Sequence, residues 1–187
     1  MDLRKAFVLA FSLFFLASSA FALDAAGVKL PDTMKAGDQN LVGNGGGKRS
    51  KFGMKVYVAA LYLKQKSSDA NMIVNADEPM AIKLQVTSGL VTPDKMKSAI
   101  DEGFESSTGG NIAPLKSRID TFTSLFKDLS TGTVYDYVYV PGKGVEIYQN
   151  SKLLSTIQGL DFKKALFGIW LGKSPAQKDL KEKMLGK

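Results

Sequence analysis

The chain has 187 residues, a formal net charge of +7, and neither cysteine nor histidine. The absence of both residue types excludes thiol nucleophiles, Ser-His-Asp triads, thiolate zinc sites and histidine-ligated haem, and we expect no metal and no cofactor. Any catalysis would have to use arginine, lysine, tyrosine or carboxylates. The lysines are scattered along the chain rather than clustered, which indicates a solvated basic surface and no nucleic-acid partner.

The amino-terminal segment is predicted to be a cleavable secretory signal. Residues 1–5 include three charged side chains, residues 6–16 form an apolar run, and a stretch of mostly small residues follows up to Ala22. This is the order of the regions in a signal peptide, and the apolar run is about half of the roughly 20 residues that a membrane-spanning helix needs. We therefore expect residues 1–22 to be removed. The remaining domain, residues 23–187, is expected to be periplasmic or secreted, with no stable membrane anchor.

The first half of this domain is predicted to consist of strands. Short strands are expected at 28–30 and 40–42, followed by a glycine-rich turn over 43–47. The β-branched and aromatic run over 54–64 predicts a central strand, and the alternation of apolar and polar residues over 80–87 predicts a strand with one buried face.

Two consecutive helices are predicted next. Thr92 can cap the first helix, Pro93 suits its first position, and Gly109 lies at its end after about three turns. An apolar stripe over 115–129, with Gly132 just beyond it, predicts the second helix. One face of the first helix contains apolar residues at a spacing of four, namely Met96, Ile100 and Phe104.

The last part of the chain predicts a meander of three strands and then two helices. Asp161 is expected to cap the first of these helices, and Ser174 with Gln177 matches the capping-box pattern of the second. Consecutive strands joined by tight turns imply an antiparallel sheet covered by helices, which is an α+β fold. The predicted strands are 133–140, 145–148 and 153–157, and the predicted helices are 161–171 and 175–186.

The glycine-rich segment invites comparison with a phosphate-binding loop. That motif needs four residues between its first glycine and the Gly-Lys pair, followed by serine or threonine. Here only three residues separate Gly43 from Gly47-Lys48, and Arg49 follows. We therefore interpret the segment as a turn that enters a strand.

Five segments in a fixed order form a further pattern. They are GVKLPD at 27–32, LVGNGGGKR at 41–49, KVYVAALYL at 55–63, NSKLL at 150–154 and FGIWLG at 167–172. Together they resemble the chalcone-isomerase-like family, in particular its exported bacterial branch, over essentially the whole of residues 23–187. The resemblance implies an open-faced β-sandwich, in which helices pack on one face of a large antiparallel sheet with a cleft between the two layers.

The resemblance also implies site residues. In the plant enzymes of the family, an arginine stabilises the phenolate and enolate charge of a chalcone, and Arg49 stands at its place in the motif. Tyr57 stands where the enzymes have a threonine that helps to bind the reacting group. A helix tyrosine and a helix asparagine of the enzymes align with Met96 and Gly103, neither of which supplies the same hydrogen bond.

A cleft with one guanidinium and an apolar lining suits a fatty-acid-like or other small amphipathic anion, which noncatalytic relatives in the family bind. We therefore expect an exported, noncatalytic binding protein with Arg49, Tyr57, Met96 and Ile100 at the ligand. The alternative is an intramolecular lyase of the chalcone isomerase type, in which Arg49 stabilises an enolate and Tyr57 donates a hydrogen bond. A third interpretation is an envelope protein that binds a partner and has a vestigial cleft. Trp170 is interpreted as core packing. Core packing is also the alternative role for Tyr57 and for Met96, Ile100 and Phe104, and the alternative for Arg49 is a surface arginine without a ligand.

Overall fold

A computed structural model describes residues 23–187, so the predicted signal segment lies outside the described residues. This part of the chain forms nine strands and five α-helices. The strands are β1 (Leu23–Ala25), β2 (Val28–Leu30), β3 (Thr33–Ala36), β4 (Gln39–Lys51), β5 (Met54–Leu63), β6 (Met80–Val86), β7 (Val134–Val140), β8 (Gly144–Gln149) and β9 (Lys152–Ile157). The helices are α1 (Ala70–Asn75), α2 (Pro93–Thr108), α3 (Lys116–Thr123), α4 (Leu160–Leu171) and α5 (Lys178–Met184).

Strands β3 to β9 form one seven-stranded antiparallel sheet in sequence order, so each strand pairs with the next along the chain. Successive side chains of a strand point to opposite faces, and β5 is buried on both. Its Tyr57, Ala59 and Leu61 belong to the core under the helices. Val58 and Tyr62 belong to a second core, which the β1–β2 hairpin covers from the other side. The predicted α+β open-faced sandwich is therefore confirmed.

The strand predictions from 54–64 onward agree with the structure to within one or two residues, but the predicted turn over 43–47 is wrong. These glycines lie inside β4, a strand of 13 residues. The sequence also gave no indication of β1, β3 or α1, and α2 is longer than predicted, at 16 residues.

The second predicted helix, 115–129, is shorter in the structure, where α3 ends at Thr123. The hydroxyls of Thr121, Thr123 and Ser124 all donate to backbone carbonyls of the preceding turn, a bonding pattern that weakens a helix. Phe126 is nevertheless buried, and its ring lies 4.7 Å from that of Tyr135. The apolar residues after Thr123 therefore still pack against the sheet, but they do so outside a helix.

Both predicted helix caps near the carboxyl end are wrong. Gly159, not Asp161, is the capping residue of α4, and the Asp161 carboxylate instead accepts two hydrogen bonds from Arg118, at 2.8 and 2.6 Å. The capping box at Ser174 does not form because the Gln177 side chain accepts a hydrogen bond from the Ser50 amide at 2.9 Å. Helix α5 therefore starts only at Lys178. Within residues 23–187, no helix combines the length and apolar character that a membrane crossing requires.

Candidate functional site

A small cavity lies between the sheet and helices α2 and α4, and we call it the Arg49 cleft. Its volume is about 30 Å³, which is enough for only a few water molecules. Among the described residues that line it, Arg49 is the only charged one. The lining consists of Arg49, Tyr57, Leu84, Met96, Ala99, Ile100, Phe122, Tyr137, Ile169 and Trp170. The structure therefore brings together all four predicted site residues, whose role in binding stays a prediction.

Arg49 lies on the inner face of the sheet because of the register between β4 and β5. It is paired directly with Tyr57, so both side chains point toward the helices. Its guanidinium carbon lies 5.8 Å from the centre of the Tyr57 ring, close enough for a cation–π interaction. Arg49 is half-buried, and none of the ion pairs within residues 23–187 includes it. The guanidinium therefore faces the cleft without a carboxylate partner from the described chain.

Tyr57 is held in place by a residue that the sequence assigned to core packing alone. The indole Nε1 of Trp170 donates to the Tyr57 hydroxyl at 3.0 Å, and both side chains are buried. Burial raises the pKa of Tyr57, although the charge of Arg49 and the hydrogen bond from Trp170 act in the opposite direction. The phenol is therefore neutral at physiological pH, and it can donate its own proton to a group in the cleft.

Replacing Tyr57 with phenylalanine should lower the free energy of unfolding by about 1–2 kcal/mol, because the buried Trp170 N–H would lose its acceptor. Urea denaturation of the two proteins measures the difference. A matched control is Tyr148→Phe, since the Tyr148 hydroxyl lies on the outer face and donates to Glu146 without accepting from a buried donor. Equal stability losses in the two variants would contradict a specific role for the Tyr57 hydroxyl.

The glycine-rich segment of β4 is the surface on which α5 packs, and it is not an anion-binding loop. A Cβ atom at Gly45 would overlap the backbone carbonyl oxygen of Lys183, and one at Gly47 would lie 3.0 Å from the Lys183 Cβ. At the register shift between Gly43 and Gly45, the side-chain amide of Asn44 donates to the backbone carbonyls of Ser67 and Met184 at 2.9 and 2.8 Å. The small residues therefore allow the last helix to lie directly on the strand that contains Arg49.

The helices contribute six residues to the wall of the cleft, namely Met96, Ala99 and Ile100 from α2, Phe122 from α3, and Ile169 and Trp170 from α4. Helices α2 and α4 are in close contact at Gly103, where an added Cβ would lie 2.9 Å from Ile169 Cγ2. A longer side chain at that position would need Ile169 to move. Gly103, which aligns with the asparagine of the plant enzymes, therefore serves helix packing in this protein. The wall that α2 and α4 form around the cleft is apolar.

The family of the chain follows from its match to a family model. Residues 22–186 match the model described as chalcone isomerase-like. The chain belongs to the chalcone isomerase-like family. No curated protein sequence matches this family member significantly. Within residues 23–187 it contains no group of three or more aspartate, glutamate, histidine or cysteine residues that could hold a metal ion.

A solved structure with the same fold is that of a fatty-acid binding protein from Arabidopsis thaliana. The two structures superpose with a TM-score of 0.67 and 17% sequence identity, over 85% of this chain and 92% of the plant protein. At this identity the likeness establishes the fold alone. It places this chalcone isomerase-like protein among structures with helices on one face of a large antiparallel sheet.

Proposed function

We propose that this protein is an exported, noncatalytic binding protein for a fatty-acid-like or other small apolar anion. The observation that supports this most directly is Arg49, a half-buried guanidinium that faces an otherwise uncharged cleft and has no ion-pair partner within residues 23–187. A guanidinium offers two parallel N–H donors to a carboxylate, and the Tyr57 hydroxyl beside it supplies a third donor. The fatty-acid binding protein from Arabidopsis with the same fold supports the proposal. Export is proposed from the order of charged, apolar and small residues over 1–22.

The size of the cleft determines how such a ligand would enter. Pockets for small molecules usually measure about 300–1,000 Å³, whereas the Arg49 cleft measures about 30 Å³. The space beside Arg49 and Tyr57 accommodates little more than a carboxylate group, so a hydrocarbon tail must displace part of the wall. Met96 is the most adaptable residue of that wall, because its unbranched thioether side chain has three rotatable bonds. Binding is therefore expected to require an outward movement of α2.

Arg49→Ala should weaken palmitate binding by at least about tenfold, because the carboxylate would lose its charge-assisted hydrogen bonds. Native mass spectrometry of the purified protein after incubation with palmitate measures the retained ligand, and the same spectrum shows whether the mature chain starts near Leu23. Hexadecanol, which has the same tail and no charge, is the ligand control. Wild type should retain palmitate better than hexadecanol, and Arg49→Ala should not distinguish the two.

The matched protein control is Lys48→Ala, which removes a neighbouring cation that pairs with Val58 on the other face of the sheet. This variant should retain palmitate like wild type. Equal palmitate retention in wild type and Arg49→Ala would contradict the proposal. Decay of chalcone absorbance above the uncatalysed rate, abolished by Tyr57→Phe, would instead support the alternative of an isomerase-type lyase.

A further inference from the structure

The hairpin between β4 and β5 ends in an exposed aromatic residue at an unfavourable backbone position. Lys51 pairs with Met54, so Phe52 and Gly53 form a two-residue turn, with φ angles of 52° and 77°. Turns with two left-handed residues favour asparagine, aspartate or glycine at the first position, and a bulky residue there is an outlier. Phe52 is nevertheless 88% exposed and belongs to neither core of the protein. Folding alone gives no reason for a phenylalanine at this position.

The same hairpin has a strong positive charge. Residues 48–55 read KRSKFGMK and contain four cations and no carboxylate. The Lys51 ammonium lies 5.8 Å from the centre of the Phe52 ring. Two carboxylates lie on adjoining elements. Asp24 forms an ion pair with Lys29 and also interacts with Lys55, and Asp94 lies in the first turn of α2. The tip therefore combines a protruding apolar ring with a local excess of cations.

A second loop adds apolar surface at the same end of the sheet. Thr87 is bonded to the start of β5, because its amide donates to Val56 O at 3.0 Å and its hydroxyl to Lys55 O at 3.1 Å. The loop over 87–92 that follows contains no charged residue, and its Leu90 is 41% exposed. Met54, in the hairpin itself, is 48% exposed. Three exposed apolar side chains therefore extend from one end of the sheet.

The Arg49 cleft lies close to this surface. Arg49 precedes Phe52 by three residues of extended chain, about 10 Å. Met96, which forms part of the cleft wall, lies in the first turn of α2, directly after the loop that contains Leu90. Whatever contacts the hairpin tip is therefore also near the end of the cleft where Arg49 lies.

We propose that the β4–β5 hairpin tip, with Phe52, Met54 and Leu90, docks onto the surface of an anionic lipid bilayer. The apolar side chains enter the interfacial region, and the exposed Lys48 and Lys51 contact the headgroups, whereas the Lys55 ammonium donates to the Ala26 carbonyl at 3.1 Å. A stable protein partner would need about 800 Å² of complementary surface on each side, which a convex two-residue turn does not offer. With so few apolar groups the contact is reversible, and it weakens with salt because the lysines are exposed. Docking at this surface does not depend on the ligand proposed for the cleft.

Co-sedimentation with vesicles tests this docking in the absence of fatty acid. The purified protein should bind vesicles that contain about one-third phosphatidylglycerol and should not bind vesicles of phosphatidylcholine alone. Phe52→Asn should lower the partition coefficient roughly tenfold. Because asparagine favours the left-handed conformation, this variant should be at least as stable as wild type, so a loss of binding is not a loss of folding.

Matched variants at the opposite end of β5 separate docking from nonspecific charge attraction. Lys48→Gln with Lys51→Gln should reduce binding by about fivefold for each charge, whereas Lys64→Gln with Lys66→Gln should leave it nearly unchanged. Met72, which is 67% exposed on α1, is the apolar control, and Met72→Gln should bind like wild type.

The depth of insertion can be measured with a single fluorescent label, since the chain has no cysteine of its own. A polarity-sensitive probe on Met54→Cys should shift to shorter wavelength when anionic vesicles are added, and the same probe on Met72→Cys should not. The proposal is overturned if Phe52→Asn binds as well as wild type, if both lysine pairs lose binding equally, or if both labels respond alike. None of these results would affect the proposal for palmitate, which is measured without vesicles.

Discussion

Replacing Lys163 with methionine should lower the free energy of unfolding by about 2–4 kcal/mol. Lys163 lies in α4 with no exposed surface. Its Nζ donates to three backbone carbonyl oxygens, those of Ile73, Val74 and Ala76, at 2.9, 2.9 and 2.8 Å. Carbonyls at the end of a helix have no partner within the helix, so this ammonium fixes the end of α1 to α4. Methionine fills a similar volume but donates no hydrogen bond, so these carbonyls would lose their donor.

The matched control is Lys164→Met, in the same helix. Lys164 is half-exposed and forms no side-chain hydrogen bond or ion pair within the described chain, so its replacement should change the stability by no more than about 0.5 kcal/mol. Urea denaturation of the three proteins compares them under identical conditions. Similar decreases in the free energy of unfolding of both variants would show that Lys163 stabilises the protein no more than an exposed lysine does.

A pH series tests whether Lys163 titrates while it is buried in the folded protein. Burial lowers the pKa of Lys163 to about 8, and the charge of Lys164 acts in the same direction. In the unfolded chain the lysine pKa is about 10.4. Between about pH 8 and pH 10 the unfolded chain therefore binds more protons than the folded chain, and Lys163 makes the free energy of unfolding rise with pH. Lys163→Met lacks this contribution, so the gap between the two proteins should widen over this range.

The central strands could be predicted from the sequence because their signal is local. The apolar and β-branched run of β5 and the alternation of β6 reflect burial of side chains that lie next to one another along the chain. Glycines have no side chain to show such a period, so Gly43–Gly47 resembled a turn. Their backbone pairs with β5, and two of them, Gly45 and Gly47, lie against α5. The Asn44–Met184 hydrogen bond at this contact joins residues 140 positions apart.

The candidate site was predictable only in part, for a similar reason. The resemblance to a known family pointed to Arg49 and Tyr57, and their strand register brings them together. Trp170 was missed as a partner of Tyr57 because α4 is buried on nearly every side, so no polar face distinguishes one of its residues from another. The hydrogen bond between them spans 113 positions. The volume of the cleft depends on how α2 and α4 pack, and no local pattern in the sequence predicts that packing.

Replacing Gly45 with alanine should lower the free energy of unfolding by about 3 kcal/mol. Gly45 does not have a positive φ, so alanine fits the local backbone and the cost comes from the contact with α5 alone. The added Cβ would overlap Lys183 O and would lie 3.0 Å from Gly186 N and 3.1 Å from Met184 O. These are backbone atoms that cannot rotate away as a side chain would. The helix must therefore move off β4, and the Asn44–Met184 hydrogen bond lengthens with it.

Gly89→Ala is the control, because a Cβ there meets nothing within 4 Å and its φ is not positive. It should be neutral or stabilise the protein by up to about 1 kcal/mol through the lower entropy of the unfolded chain. Urea denaturation measures both variants, and hydrogen exchange should become faster in the amides of α5 in Gly45→Ala alone. Unchanged stability with slow exchange in α5 would mean that the helix can shift along β4 without loss. In that case close packing against α5 would not be the reason that this segment of β4 consists of glycine.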